Sequence, residues 1–382
     1  MTTDIDFSGT SFQQLVRKIT HGKLFLPILC LILVMMMNVA VNVSSGGSPL
    51  TFFEITLTNG TLNGPLITIL NRSSELVIVA LGMTICVSCS AGTDISVGAV
   101  MAFSGAVSIW ALGFGTLPQN DYHVKEYVIP YVLGLAIAIG VGAIAGAWNG
   151  FLVANLRIQP MVATLILYTG GRGAAKVFAD GQIDKVDVPN YKWLGNFIQD
   201  DAGNNLVPIP TAIFIAAGMV IFTALILRYT AWGMNIQSVG INNRASRIFG
   251  LNSARIILIG YIFCGVCAGI AGIIATSRIG GIDANNCGKM LELDAILAVA
   301  LGGNSLAGGK FSLSGSVIGA VTIQALTTVL YSVNVSADQL PVYKAVVVVI
   351  IVVLQSPELR PMVNKGLAFV RQLSSRGQEV QA

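Results

Sequence analysis

Long apolar stretches separated by short polar segments extend along the chain from residue 24 to residue 354. The first stretch, residues 24–43, contains no Asp, Glu, Lys or Arg. A helix rises about 1.5 Å per residue, so this stretch matches the ~30 Å hydrocarbon core of a bilayer. Similar stretches recur, and together they predict about ten transmembrane helices. The predicted spans are residues 24–43, 75–90, 97–114, 127–148, 160–179, 210–227, 256–277, 293–306, 312–333 and 342–354.

The few charged residues orient these spans. Only 10% of the 382 residues are charged, against about 25% in a typical soluble domain. Basic residues precede the first span and recur in residues 228–255 and in the tail, whereas residues 180–206 are rich in acids. The positive-inside rule therefore places both termini in the cytoplasm. The sequence predicts an all-α, polytopic transmembrane helical bundle with short broken helices. We expect a cytoplasmic N-terminal segment (1–23), a membrane domain (24–356) and a cytoplasmic tail (357–382).

Three features argue against other classes of protein. A net charge of +4 without a basic run does not suit a nucleic-acid surface. Two CxxC pairs, residues 86–89 and 264–267, have zinc-site spacing, but they lie in apolar spans where cysteine also serves as a packing residue. Residues 303–311 resemble a P-loop, yet Asn304 and Phe311 occupy positions that require glycine and Ser/Thr. We therefore expect no catalytic residue, no metal and no cofactor bound by this chain.

Polar residues at membrane depth are the candidates for a functional site, because an ionised side chain near the bilayer centre costs ~2.5–3.5 kcal/mol. Asp94, in a break between two spans, either caps a helix over residues 95–114 or lies beside a pathway, and the two roles are compatible. Glu292 and Asp294 precede a short apolar run, where they favour a helix start or form a proton relay. Glycine-containing breaks are expected to bring two further polar residues to span ends, Asn149 and Arg172. The candidate pathway residues are Asp94, Ser96, Asn149, Arg172, Glu292, Asp294 and Asn304.

The arginine-rich interior loop contains a short amphipathic segment. Asn243 can cap a helix that runs to Phe249, and Gly250 can end it. A helix with one apolar and one basic side lies either on the membrane surface or in the groove of a partner, and the residues alone leave both possibilities open. The candidate loop residues are Gly240, Asn242, Asn243, Arg244, Arg247 and Gly250.

Four motifs occur in a characteristic order. They read GTDISVG at residues 92–98, NGFLVA at 149–154, GINNRASRIFGL at 240–251 and ELDAILAVALGG at 292–303. With them, the chain resembles the membrane permease subunit of bacterial ABC importers for simple sugars, the ribose, xylose and galactose group, over roughly residues 65–356. The chain departs from the family pattern at two positions of the interior loop, where Ile241 and Phe249 replace small residues.

This resemblance implies a multi-pass protein of the bacterial cytoplasmic (inner) membrane that forms half of a monosaccharide pathway and has no ATPase site of its own. The implied partners are a second permease subunit, identical or different, an extracytoplasmic sugar-binding protein, and two cytoplasmic ATP-binding subunits or one double-cassette ATPase. ATP would bind to those partners, and the interior loop would dock into the ATPase. Two alternatives are an ABC permease for a nucleoside or branched-chain amino acid, and an ion-coupled secondary transporter, which the scarcity of acids in the spans disfavours.

Overall fold

The computed structural model describes residues 24–355 except 45, 59, 117–123, 182, 189 and 200–204. The predicted N-terminal segment and nearly all of the predicted tail lie outside the described residues. The described chain divides into two compact units between Thr328 and Val329, and the contacts discussed below lie within the first unit. The twelve α-helices of the described residues are α1 Phe25–Ser44, α2 Pro65–Ser90, α3 Val97–Leu112, α4 Tyr131–Ala154, α5 Pro160–Phe178, α6 Thr211–Tyr229, α7 Trp232–Ile241, α8 Asn243–Ile248, α9 Ser253–Ile279, α10 Leu291–Leu301, α11 Leu313–Ser332 and α12 Leu340–Gln355.

Each predicted span overlaps a helix, although the bounds differ, and the helical membrane class is confirmed. Within the described residues, six helices are long and apolar enough to cross a bilayer: α1, α2, α4, α6, α9 and α11. Helices α3 and α12 provide shorter apolar segments. The count of ten crossings and the side on which each terminus lies stay predictions.

Helix α2 begins ten residues before the predicted span, at Pro65 instead of Glu75. Proline suits the first turn of a helix, where its missing N–H leaves no bond unmade and its fixed φ is already helical. The polar sequence at residues 71–75 concealed this first part of the helix from hydrophobic patterning. Helix α2 ends at Ser90, and the next residue, Ala91, adopts the left-handed conformation at φ 53°. Most of the length of α2 is buried.

Helix α4 runs without interruption through Asn149, so the predicted break there is wrong. Its glycines allow close packing against α9. A Cβ atom at Gly142 would overlap the carbonyl oxygen of Gly265, and one at Gly146 would overlap that of Tyr261. Small residues four apart let two membrane helices approach closely, which explains glycine here without a break in the helix.

Two small sheets, which the all-α prediction did not include, lie between the helices. Strands β1 (Thr56–Thr58) and β2 (Thr61–Asn63) form an antiparallel hairpin. Strands β3 (Val124–Lys125), β4 (Ile183–Val186) and β5 (Gly281–Asp283) form a second sheet in the order β3-β4-β5, parallel and then antiparallel. Three loops distant in sequence therefore meet on one side of the protein, which we call the sheet face.

Buried polar contacts fix the sheet face to the helices. Lys125 Nζ on β3 lies 3.0 Å from Asp184 Oδ2 on β4, and both side chains are buried. After β4, the hydroxyl groups of Tyr191 and Thr276 on α9 lie 2.6 Å apart. Burial raises the pKa of Tyr191 to about 12.

The opposite ends of α2 and α9 meet a second set of loops. The Gly309 N–H donates to the Ser88 carbonyl oxygen at 3.0 Å. Gly240, near the end of α7, packs so closely on this point that a Cβ atom would overlap the same oxygen. Because 26 residues of α2 span about 39 Å, this side lies far from the sheet face, and we call it the arginine face after the arginines described below.

Candidate functional site

A cavity of about 680 Å³ lies on the sheet face between α2, α9 and β5. Its size falls within the ~300–1,000 Å³ range of small-molecule sites. Four asparagines, two arginines and two acids contribute to its lining, together with several apolar side chains. The polar and charged members are Asn63, Thr68, Asn71, Arg72, Glu75, Asn196, Arg278, Asp283 and Asn286.

An ion pair between α2 and α9 lies in this cavity. Arg278 Nε is 2.8 Å from Glu75 Oε1, and Arg278 Nη2 donates to the carbonyl oxygen of Asn71 at 2.6 Å and to its Oδ1 at 3.1 Å. The side chains of Glu75 and Arg278 keep 19% and 15% of their surface exposed. None of these three residues was among the sequence-predicted site residues. Two opposite charges at the ends of predicted apolar spans were the signal that could have found them.

Asp94, Ser96 and Asn149 form one buried cluster at the start of α3. The Asp94 Oδ1 atom accepts from the Ser96 N–H at 2.8 Å and from the Ser96 hydroxyl at 2.6 Å. The Asn149 amide of α4 donates to the same hydroxyl at 2.8 Å. Because α3 begins at Val97 and not at residue 95, Asp94 braces the turn before the helix and is not its N-cap.

Arg172 and Glu292 meet beside this cluster. Helix α5 continues through Arg172, so the predicted break at residues 170–173 is wrong. The guanidinium group donates to the carbonyl oxygens of Cys287 at 2.6 Å and Gly288 at 2.7 Å, and lies 4.0 Å from Glu292 Oε2. Arg172 thereby fixes the turn that lines the cavity and leads into α10. Glu292 and the half-buried Asp294 both occupy the first turn of α10.

Asn304 holds the loop between α10 and α11. Its side-chain carbonyl oxygen accepts from the Ser312 N–H at 2.5 Å, and its amide donates to Ser316 Oγ at 2.8 Å and to the Val299 carbonyl oxygen at 3.1 Å. Ser316 Oγ also accepts from the hydroxyl of Thr84 on α2 at 2.6 Å. The predicted site residues therefore do not converge on a single point: Asn304 belongs to the loop after α10, and the Asp94 and Arg172 clusters lie at the starts of α3 and α10.

The predicted amphipathic helix of the interior loop is present as α8. Asn242, not Asn243, is its N-cap, because the Asn242 side chain accepts from the Ala245 N–H at 3.0 Å. Gly250, at φ 85°, follows the helix in the left-handed conformation, as glycine permits. Ile248 and Phe249 are 84% and 85% exposed, which leaves two large apolar side chains beside the exposed arginines of the same helix.

Three arginines surround a cavity of about 380 Å³ on the arginine face. Arg157 comes from the link between α4 and α5, whereas Arg244 and Arg247 come from α8. Asn243 also lines this cavity. Gly240 packs closely against the Ser88 carbonyl oxygen of α2. The arrangement is basic and open, which favours contact with an acidic partner surface.

The two CxxC pairs meet across α2 and α9. The backbone of Cys264 packs on Gly82, and Cys89 packs on Gly260. All four cysteines of the pairs are buried. In the part of the chain that the structure describes, no group of three or more His, Cys, Asp or Glu side chains is arranged to hold a metal ion.

A bundle of membrane helices with a polar cavity on one face and an exposed basic helix on the other defines a transport protein of the permease class. The family described as "Branched-chain amino acid transport system / permease component" matches residues 66–355. The chain belongs to this family, and it is a multi-pass permease of the bacterial cytoplasmic membrane.

Three curated relatives are similar over most of their length. The galactofuranose transporter permease protein of Escherichia coli strain K12 is 43% identical over 80% of this chain and 83% of its own. A fructose import permease protein of Bifidobacterium longum strain NCC 2705 is 38% identical over 85% of this chain and 86% of its own. The ribose import permease protein of Escherichia coli strain K12 is 33% identical over 76% and 85%, respectively. No solved structure matches the chain significantly.

Proposed function

We propose that this chain is the permease subunit of an ABC importer and forms half of the pathway for a monosaccharide. An extracytoplasmic binding protein delivers the sugar, and cytoplasmic partners, two ATP-binding subunits or one double-cassette ATPase, hydrolyse ATP. Three relatives at 33–43% identity are named as permeases for galactofuranose, fructose and ribose, which supports a monosaccharide as the cargo. The observation that carries the proposal is the pairing of a polar cavity without net charge on the sheet face with a basic, exposed helix on the arginine face.

The charge balance of the cavity favours a neutral cargo. Its lining includes two basic residues, Arg72 and Arg278, and two acidic residues, Glu75 and Asp283. These charges cancel, so the cavity offers hydrogen bonds without attracting an ion of either sign. In this proposal, the clusters around Asp94, Arg172 and Asn304 hold the walls of the pathway and carry out no covalent chemistry.

The exposed side of α5 supports a pathway at the interface with a second permease subunit. Thr169, Gly170, Gly173 and Lys176 are all exposed on this helix. Polar groups facing lipid are expensive, and such residues normally face other helices or a water-filled lumen. We infer that this side of α5 faces the lumen or the second permease, which is an identical or a related chain.

The arginine face supports an ATPase contact. Ile248 and Phe249 would enter an apolar groove of the ATPase, while Arg244 and Arg247 pair with acids at its rim. Removing these two apolar side chains from water would stabilise the docked state of the helix relative to the undocked state. This orientation also requires the sheet face to be extracytoplasmic, in keeping with the ten predicted crossings and cytoplasmic termini.

Reconstitution tests the cargo. The permease, its ATPase and its binding protein in proteoliposomes should take up a monosaccharide only when ATP is present. D-Galactose, D-fructose and D-ribose serve as test cargoes, with leucine and a nucleoside as the competing classes. Uptake of leucine instead of any sugar would contradict the sugar proposal, and uptake by the permease alone, driven by an ion gradient, would contradict the ABC class.

A double substitution tests the coupling contact. Arg244→Glu together with Arg247→Glu should abolish sugar-stimulated ATPase activity and weaken assembly with the ATPase, because both charges then repel an acidic rim. The matched control is Arg228→Glu, an exposed arginine at the end of α6. The thermal stability of the purified permease should not change in either variant. Unaltered stimulated ATPase activity in the double variant would count against the contact.

A further inference from the structure

The ion pair in the sheet-face cavity has unused hydrogen-bonding capacity. Arg278 uses Nε and Nη2 for its contacts with Glu75 and Asn71. Among the described residues, no hydrogen bond involves Arg278 Nη1 or Glu75 Oε2, and Arg278 Nε makes only the ion-pair contact. A donor and an acceptor, both charged, therefore lie side by side in the cavity, and charge-assisted hydrogen bonds are the strong ones.

The rest of the lining supplies what a small polyol requires. The Asn71 and Asn196 side chains offer further amide groups, while Phe197 and Met101 provide apolar surface. A monosaccharide presents hydroxyl groups on its rim and C–H groups on its faces, and each hydroxyl both donates and accepts. Hydrogen bonds to the pair would therefore be possible without separating Glu75 from Arg278.

We propose that the Glu75–Arg278 pair is a monosaccharide subsite of the permease, at which the sugar rests after it leaves the binding protein. This inference rests on the proposed function and adds the residues that would hold the cargo. Glu75 accepts from one hydroxyl, and Arg278 donates to a neighbouring one. The carboxylate and ammonium groups of an amino acid would suit the same free donor and acceptor, so leucine is the competing occupant in the tests below.

Site-directed labelling tests occupancy directly. Five of the six cysteines are buried and only Cys287 is partly exposed, so a Cys287→Ser background leaves little accessible thiol. Asn286→Cys then places a thiol in the cavity, whereas Ile183→Cys places one on exposed β4 outside it. In the permease–ATPase complex, D-galactose, D-fructose or D-ribose should slow modification of the Asn286→Cys thiol about threefold or more. The Ile183→Cys thiol should react at an unchanged rate.

A blocking substitution provides an independent test. Thr68→Trp adds a large ring to the cavity lining from α2 and keeps both residues of the ion pair, whereas Leu70→Trp adds the same ring on an exposed side of α2 outside the cavity. In the reconstituted importer, Thr68→Trp should lower sugar uptake about tenfold or more. Stimulation of the ATPase by sugar-loaded binding protein should persist, and Leu70→Trp should behave as wild type.

Several results would overturn the subsite. In the labelling test, they are protection of the Asn286→Cys thiol by leucine, or equal reactivity of that thiol with and without every sugar. In the blocking test, they are unchanged uptake by Thr68→Trp, or loss of both uptake and ATPase stimulation, because the cavity would then be a docking surface for the binding protein. If the wild-type importer transports sugar while these results appear, the proposed function stands and the subsite alone is wrong. If the wild type transports leucine and no sugar, both are wrong.

Discussion

Replacing Gly142 with alanine would test the close contact between α4 and α9. The new Cβ atom would overlap the carbonyl oxygen of Gly265 and lie 3.2 Å from the Cα atom of Gly269. Both are backbone atoms that cannot rotate away, so the helices would have to separate. Gly140 is the matched control on the same helix, since among the described residues no heavy atom lies within 4 Å of a Cβ atom built there.

The expected difference in stability follows from this pair. Alanine improves helix propensity by about 0.5–1 kcal/mol over glycine, and this gain is common to both variants. Overpacking of a close contact costs about 1–3 kcal/mol. We therefore expect the Gly142→Ala protein to unfold with a free energy about 1–3 kcal/mol below that of the Gly140→Ala protein. The upper part of this range applies if relief requires the whole helix to shift.

Reversible unfolding in mixed micelles, followed by circular dichroism, would measure the two free energies. Gly146→Ala, whose Cβ atom would overlap the carbonyl oxygen of Tyr261, should repeat the loss. If Gly142→Ala and Gly140→Ala agree within about 0.5 kcal/mol, the spread of ordinary surface substitutions, then the glycines of α4 are not there for close packing and the explanation given for them is wrong.

Three further predictions concern the polar clusters and the orientation in the membrane. Asn304→Leu should lower the unfolding free energy by about 1–3 kcal/mol, because buried backbone and hydroxyl groups lose their partner, whereas Ser314→Ala on the exposed side of the same segment should have little effect; equal losses would contradict the network. Ser96→Ala should lose a similar ~1–3 kcal/mol in the same assay, since the Asn149 amide loses its acceptor and Asp94 keeps only the bond from the backbone N–H, and wild-type stability would refute that role. In intact cells, a membrane-impermeant thiol reagent should label Ile183→Cys but should label Ile248→Cys only after permeabilisation, and the reverse order would show that the assigned orientation is inverted.

Hydrophobic patterning located the helices because lipid forces each crossing segment to satisfy its own backbone hydrogen bonds. The pattern failed where a helix begins in polar sequence, as in the first ten residues of α2. It also misjudged glycine. Gly150 was predicted to lie in a break, but it lies inside α4, where a Cβ atom would come within 2.9 Å of the Leu258 side chain on α9.

The candidate site was harder to predict because its contacts join residues far apart in the chain. Asp94 and Asn149 were identified individually, but nothing in the sequence shows that both bond to Ser96. Glu75 and Arg278 lie about two hundred residues apart, and each alone resembles a charge at the end of a span. The sheet that fixes the outer loops likewise depends on pairing among three short strands, each too short to have its own pattern.

Helix α10 has only eleven residues and is about 16 Å long, roughly half of the hydrocarbon thickness. The irregular segments at its two ends are held by Arg172 and Asn304. Irregular backbone is tolerated at this depth only where protein surrounds it. We therefore expect this part of the chain to enter the membrane only together with α2, α3 and α5, which are made earlier and contact it or its flanking segments.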